Sequence, residues 1–292
     1  MNSRAWLVAA VIVAAALPRC SARSTTPSES ETLDTSQPTL SATVWAATAA
    51  ERNALSYQAF ALARQQLDRA LADPTWHADL ESETLDHAGR DQTSVVALPP
   101  AIIIDVDDTV LDTTPYRADQ LRPESHRRFS GWRAWAERAD AVALPGVVEF
   151  LNYAREQGVR VFFVSNRDAF LEPETRTNLQ RVGIVLSDAA EGGAADSVLL
   201  IAERPVWLSR DKSPRRAWVA KTHRVLLLIG DDLNDFVAAG ESLETRAALV
   251  QRHADRFGKC WLMLPNPVYG SWERAAYADG KSGAAVEALL HR

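Results

Sequence analysis

Ala101-Ile102-Ile103-Ile104-Asp105-Val106-Asp107-Asp108-Thr109 is the stretch on which the reading of this chain turns. Its first four residues are apolar, and three of them are β-branched. The run is too short for a helix and lacks polar alternation, as expected of a strand covered on both faces. Carboxylates begin where the apolar run stops. A solvated acidic turn would not need a fully buried strand aimed at it.

Similar runs follow at 159–164, announced by Gly158, at 225–229 and, more weakly, at 198–201. Helical stretches at 147–157, 174–182 and 214–220 separate them. Strands alternating with helices predict βαβ units, hence an α/β fold with a Rossmann-like parallel sheet flanked by helices. In such sheets ligands bind at the carboxyl ends of the strands. The residues that decide function are therefore Asp105 to Thr109 after the first run, Ser165-Asn166-Arg167 after the second and Gly230-Asp231-Asp232 after the third.

The N-terminal part has a different character. Residues 41–72 contain no Gly or Pro, and Phe60, Ala63, Leu67, Ala70 and Leu71 recur at three- and four-residue steps. This predicts an amphipathic helical region ended by Asp73-Pro74. Residues 79–94 are polar and read as a loop or short helix. Residues 21–38, rich in Ser, Thr, Pro and Glu, read as a disordered tether. Ahead of them, a short basic start precedes an apolar run from Ala5 to Leu17. That run is shorter than the roughly 20 residues needed to span a bilayer and suits a signal peptide. Cleavage after Ala22 is one outcome. Acylation of Cys20 is the other, although Pro18 and Arg19 stand where a lipoprotein signal has small residues. The expected layout is a signal peptide (1–22), a linker (23–40) and one folded domain (41–292), exported to the periplasm or outer membrane.

The whole chain of 292 residues has 47% hydrophobic and 24% charged residues and a net charge of −6. That acidity argues against a protein tracking nucleic-acid polymer, and no second apolar run is long enough for a membrane pump. With Cys20 in the leader, Cys260 is alone, so no intrachain disulfide is expected, and it reads as a small buried hydrophobe.

Three strand ends supplying carboxylates and a hydroxyl define a chemistry. Asp105 and Asp107, two apart, leave an extended backbone on the same side. One can attack phosphorus while the other handles the leaving group's proton. So many acids at one edge call for a cation, and Asp105, Asp231 and Asp235 form an oxygen-only set that suits Mg²⁺. A calcium loop fails on position: counting from Asp105 puts Val110 at the glycine place, and counting from Asp231 puts Phe236 there. Ser165 can donate to a transferring oxygen, and Lys212, at the start of the helix before the third run, can balance the remaining charge.

Asp105 to Val110 with Leu111-Asp112, then Ser165, Lys212 and Gly230 to Asp235, resemble the four ordered motifs of the haloacid-dehalogenase (HAD) superfamily. More narrowly, Asp105 to Tyr116, Pro145-Gly146, Ser165-Asn166-Arg167, Arg215-Arg216, Gly230 to Phe236 and Pro265 to Gly270 are similar to class C bacterial acid phosphatases. That family includes a lipoprotein acid phosphatase acting on 5′-nucleotides. The resemblance covers roughly residues 40–280. It implies a small, mainly helical cap, Asp105 as nucleophile, Asp107 as acid/base, and Mg²⁺ held by Asp105, the Asp107 carbonyl and Asp231. It also implies substrate contacts by Asn166, Arg167, Tyr116, Trp132 and Tyr269, with Trp132 and Trp135 divided between substrate contact and cap packing. The family usually has Asn where Asp232 stands and Asp where Asn234 stands, so charge near the metal is rearranged.

The function implied is hydrolysis of a small phosphomonoester or nucleotide. A narrow 5′-nucleotidase, for instance for nicotinamide mononucleotide, and a non-catalytic binding protein are the alternatives. Retention of Asp105 and Asp107 counts against the last. Oligomeric state is left open, a homodimer being one arrangement to test.

Overall fold

The computed structural model describes residues 39–80, 98–186 and 196–277. The leader and nearly all of the linker, and residues 81–94 of the polar stretch, lie outside the described residues. Five strands form one sheet: β1 (Pro100–Ile104), β2 (Arg160–Asp168), β3 (Val198–Ile201), β4 (Arg224–Gly230) and β5 (Trp261–Met263). Their order is β3-β2-β1-β4-β5 and every neighbouring pair is parallel. The expected α/β fold with a parallel sheet is the observed one.

The helices are α1 (Leu40–Thr48), α2 (Ala50–Ala72), α3 (Thr114–Gln120), α4 (Trp132–Ala136), α5 (Val147–Glu156), α6 (Glu172–Arg181), α7 (Ser213–Ala220), α8 (Leu243–Arg252) and α9 (Ser271–Ala276). Between β1 and α5 the chain forms only the short α3 and α4 and a 3₁₀ turn, the small helical cap.

The β1 side chains alternate between two cores, as the pleat requires. Ile102 and Ile104 pack with Phe60, Ala63 and Leu67 of α2 and Phe150 of α5, whereas Ala101 and Ile103 join Val219 and Ala220 of α7 with Trp207 and Trp261. Double coverage is why the run reads as uninterruptedly apolar. Cys260 is buried in the second core, as its sequence context suggested.

Three elements differ from the sequence reading. The helical region is two helices, because Ala49 is extended at φ −74° and ψ 122°. Arg52 Nη1 donates to the Ala46 carbonyl at 3.1 Å, taking the acceptor that an unbroken helix would use. β2 runs on through Asp168, but its pairing with β3 steps from Val164↔Leu199 to Asp168↔Ile201. The extra residues form a bulge, which re-aims Ser165-Asn166-Arg167 out of the ladder. β5 and α8 were not read from the sequence: β5 has only three residues, and α8, although Leu243, Ala247 and Val250 share a face, buries none of its residues.

Candidate active site

β1 and β4 are neighbours, so Asp105 and Asp231 emerge side by side, and the Asp105 N–H donates to the Ile229 carbonyl at 2.9 Å. β2 brings Ser165 from the other side of β1, and Lys212 caps the start of α7. These residues line one cavity of about 580 Å³ with Asp107, Asp235, Tyr116, Trp132, Asn166, Arg167 and Tyr269. Of the residues named in advance for the site, only Trp135, whose place was left divided, does not line it.

Oxygens of Asp105, Asp231 and Asp235 all lie within 4.8 Å of one another. Lys212 Nζ donates to Asp105 Oδ1 and, at 2.6 Å, to Asp235 Oδ1. Although burial works against its charge, Asp105 and Asp235 hold the Lys212 ammonium above its ordinary value. The carboxylates feel the opposite pressure. Burial, then repulsion from Asp105, Asp235 and Asp108, pushes Asp231 well above the usual carboxylate range. Burial pushes Asp235 up to about 7, with Lys212 opposing. One ammonium among three packed carboxylates leaves net negative charge, and a hard divalent cation with oxygen ligands fits that donor set.

Local sequence explains the cluster. Asp235 Oδ2 accepts from the Asp232 N–H at 2.9 Å, closing a capping box around residues 232–235. A Cβ on Gly230 would lie 2.1 Å from Asp235 Oδ2, so only glycine lets that carboxylate fold back over the strand end. Asp231 accepts from Thr109 Oγ1 at 3.0 Å and from Asn266 Nδ2 at 2.7 Å. Asn266 Oδ1 in turn accepts from the Val268 and Tyr269 N–H groups, tying the Tyr269 loop to the acidic cluster. The charge displaced onto Asp232 is taken up locally, by the Asn234 N–H at 2.9 Å and by the backbone and hydroxyl of Ser271.

Asp107 is held from β2. Arg167 Nη2 donates to Asp107 Oδ1 at 2.7 Å and Nε to Oδ2 at 3.0 Å, while Nη1 donates to Thr175 Oγ1 at 3.2 Å. This guanidinium is buried and occupied, so it orients Asp107. Asn166 is likewise engaged, donating to the Arg210 carbonyl at 3.0 Å and accepting from Arg215 Nη2 at 2.6 Å. The rings divide by position. Trp135 is buried in the core, whereas Trp132, 4.9 Å from it, and Tyr116 line the cavity. Burial and the carboxylates of Asp108, Asp231 and Asp107 push the Tyr269 phenol well above its ordinary value, so it stays protonated.

Sequence reasoning missed Arg52. From α2 its guanidinium donates to Asp108 Oδ1 at 2.9 Å, to Asp112 Oδ1 at 3.0 Å and to Thr114 Oγ1 at 3.0 Å. Asp108 itself sits in the left-handed region at φ 57°, held by the N–H and hydroxyl of Thr113. The signal was available in spacing. Arg52 and Ser56 continue the buried α2 stripe of Phe60, Ala63, Leu67 and Ala70 at four-residue steps, but as polar residues they leave no hydrophobic mark.

Residues 27–272 match the family model of HAD superfamily, subfamily IIIB (acid phosphatase). The structure of the class C acid phosphatase from Bacillus anthracis is similar at 32% identity, with a TM-score of 0.65, covering 87% of this chain and 94% of that one. Its crystal structure with tungstate bound gives a TM-score of 0.66 at the same identity and coverage.

Proposed function

Because this chain belongs to the HAD subfamily IIIB acid phosphatases, we propose that it hydrolyses phosphomonoesters through an aspartyl phosphate on Asp105, with Asp107 as acid/base and Mg²⁺ as cofactor. The observation that supports this most is the pairing of two differently treated carboxylates in one cavity. Asp105 lies against Lys212 among the acids, and Asp107 lies against Arg167.

An Asp105 oxygen attacks phosphorus as the ester P–O bond breaks, and Asp107 gives its proton to the departing oxygen. Water then attacks the phosphoryl group, Asp107 takes a proton from it, and the Asp105–phosphorus bond breaks to release phosphate. Lys212 and the Ser165 hydroxyl donate to the transferring oxygens. Asp105, Asp231 and the Asp107 carbonyl would hold the ion, with Asp235 completing the acidic wall. Bound there, Mg²⁺ offsets repulsion between the carboxylates and the phosphate dianion.

The test is a panel of nucleotides, sugar phosphates and an aryl phosphate, assayed for phosphate release and quenched in acid for intact mass. Release accompanied by one phosphoryl adduct, absent from Asp105→Asn, is expected. Turnover by Asp105→Asn within tenfold of wild type rules the nucleophile out. Tyr116, Trp132 and Tyr269 around the cavity favour a narrower 5′-nucleotidase as the second reading, since aromatic faces stack bases. Preference for nucleotides across the panel supports it, and indifference removes it.

Export is proposed on the apolar run at residues 5–17, with attachment through Cys20 or cleavage after Ala22. Among the described residues no helix is long and apolar enough to cross a membrane. Intact mass of the mature N-terminus distinguishes a lipid-modified Cys20 from a chain starting at Arg23, and an unprocessed Met1 would overturn both.

A further inference from the structure

Arg117, on α3 directly after Tyr116, is partly buried and unlike the fully buried cations of the cavity wall. Lys212 is spent on Asp105 and Asp235, Arg167 on Asp107 and Thr175, and Arg215 on the Ser165 carbonyl and Asn166. Among the described residues, no hydrogen-bond acceptor and no carboxylate engages the Arg117 guanidinium, and its Nε is buried without a partner. What holds it is aromatic. Its guanidinium carbon lies 3.7 Å from the Tyr269 ring centroid, 5.4 Å from that of Tyr116 and 5.7 Å from that of Trp132. Stacking fixes the plane of the fork while leaving its N–H edge unused.

A buried donor without an acceptor carries an uncompensated desolvation cost, which a ligand oxygen removes. The transferred phosphoryl group already has Lys212, Ser165 and the acid-bound cation assigned to it. The unused fork, placed among the rings that face the leaving group, answers to a different anion. Arg210 and Arg274 add exposed positive charge along the rim, but Asp168 and Glu273 line it too. Selection therefore falls to the one guanidinium that stacking holds in place.

Resting on the phosphatase reading above, we infer that Arg117 recognises a second anionic group on the leaving group, so the substrates are phosphomonoesters whose alcohol is itself anionic. A carboxylate and a further phosphate share this chemistry, since both accept a bidentate guanidinium. Tyr269 then acts chiefly as the platform for Arg117.

Two matched pairs test this in the Mg²⁺-supplemented enzyme: 3-phosphoglycerate against glycerol 3-phosphate, and a nucleoside 3′,5′-bisphosphate against its 5′-monophosphate. The reading is the ratio of kcat/KM within each pair. Wild type should favour the anionic member of at least one pair by about tenfold. Arg117→Gln should collapse that ratio toward unity through KM, and Arg117→Lys, which keeps charge without the fork, should retain part of it. The pair that responds identifies the group as carboxylate or phosphate. A ratio in Arg117→Gln within twofold of wild type for both pairs overturns the inference. So does an equal loss on both members, which would make Arg117 a contact of the transferred phosphoryl or a prop for Tyr269. Failure of wild type to release phosphate from any substrate, aryl phosphate included, would instead sink the phosphatase reading beneath it.

Discussion

Two sets of carboxylates meet at the carboxyl edge of the sheet and are met differently. Asp105 joins Asp231 and Asp235 around one lysine, so negative charge is left over and burial pushes Asp231 upward. A few residues on, Asp108 and Asp112 meet Arg52, a guanidinium that reaches both; Thr113 adds donors to both Asp108 oxygens, and the Thr114 N–H and hydroxyl join Arg52 on Asp112 Oδ1. The first set has three carboxylates on one ammonium and is the more incomplete; the second, where burial raises Asp108 too, has two on one guanidinium and is more nearly met by its threonine donors. Incompleteness marks the chemistry, and completeness marks the scaffold that holds it.

The comparison is tested most severely at Asp105. Asn in its place keeps the shape and removes both the attacking charge and one ligand, so phosphate release should fall by about a thousandfold or more. The corresponding removal of the cation should be nearly as damaging. Dialysis against EDTA should abolish turnover, and Mg²⁺ should restore it better than Ca²⁺, which tolerates looser, more numerous ligands. Full activity after chelation would mean that the acidic set is complete without a metal.

Arg52 should behave differently. Arg52→Ala leaves Asp108 and Asp112 without their cation and should cost about 3–5 kcal/mol of stability, read by denaturant unfolding. Displacement of the loop carrying Asp105 should lower kcat by about ten- to a hundredfold at temperatures where the variant stays folded. Added Mg²⁺ should rescue neither effect. A variant as stable as wild type would show that the clasp contributes little, and rescue by Mg²⁺ would erase the distinction between the two sets.

A third acidic group gives the smallest effect. Glu172, Asp196 and Glu203 gather near the end of β3 outside the cavity, with Arg176 bonded to Glu172 and Asp196. Burial first, opposed by the Leu200 N–H and reinforced by Glu172 and Asp196, pushes Glu203 up to about 7. A carboxyl raised in the folded state binds more protons there than in the unfolded chain. Stability contributed by its protonation is therefore lost as pH rises from about 4.5 through about 7. Because Glu203 is partly exposed, the expected shift is roughly one to two degrees in Tm. Glu203→Gln should flatten that slope, and an unchanged slope would place its origin elsewhere.

Much of this was legible before any coordinates. The β1 run, the strand alternation and the ordered acids gave the parallel sheet and the residues at its edge, because burial on both faces writes itself as an apolar run. The roles of Asn166 and Arg167 were not legible. Both line the cavity, but their engagement by Arg215 and Asp107 could not be read, because those partners lie 49 and 60 residues away in sequence. Trp132 and Trp135 could not be separated by spacing either. One lines the cavity and the other is core, a difference set by how the short α4 rolls against Tyr116.

The sequence by itself determined which residues gather at the carboxyl edge of the sheet, since acids that begin where a doubly buried strand stops must emerge there. Only the tertiary structure decided how each charge is met. Ion pairs such as Arg52–Asp108 join residues whose spacing has no period, and an arginine such as Arg117, stacked on rings but without a hydrogen-bond acceptor among the described residues, becomes visible only when its neighbours are in place. Burial strengthens such pairings, and burial is a property of the packed chain.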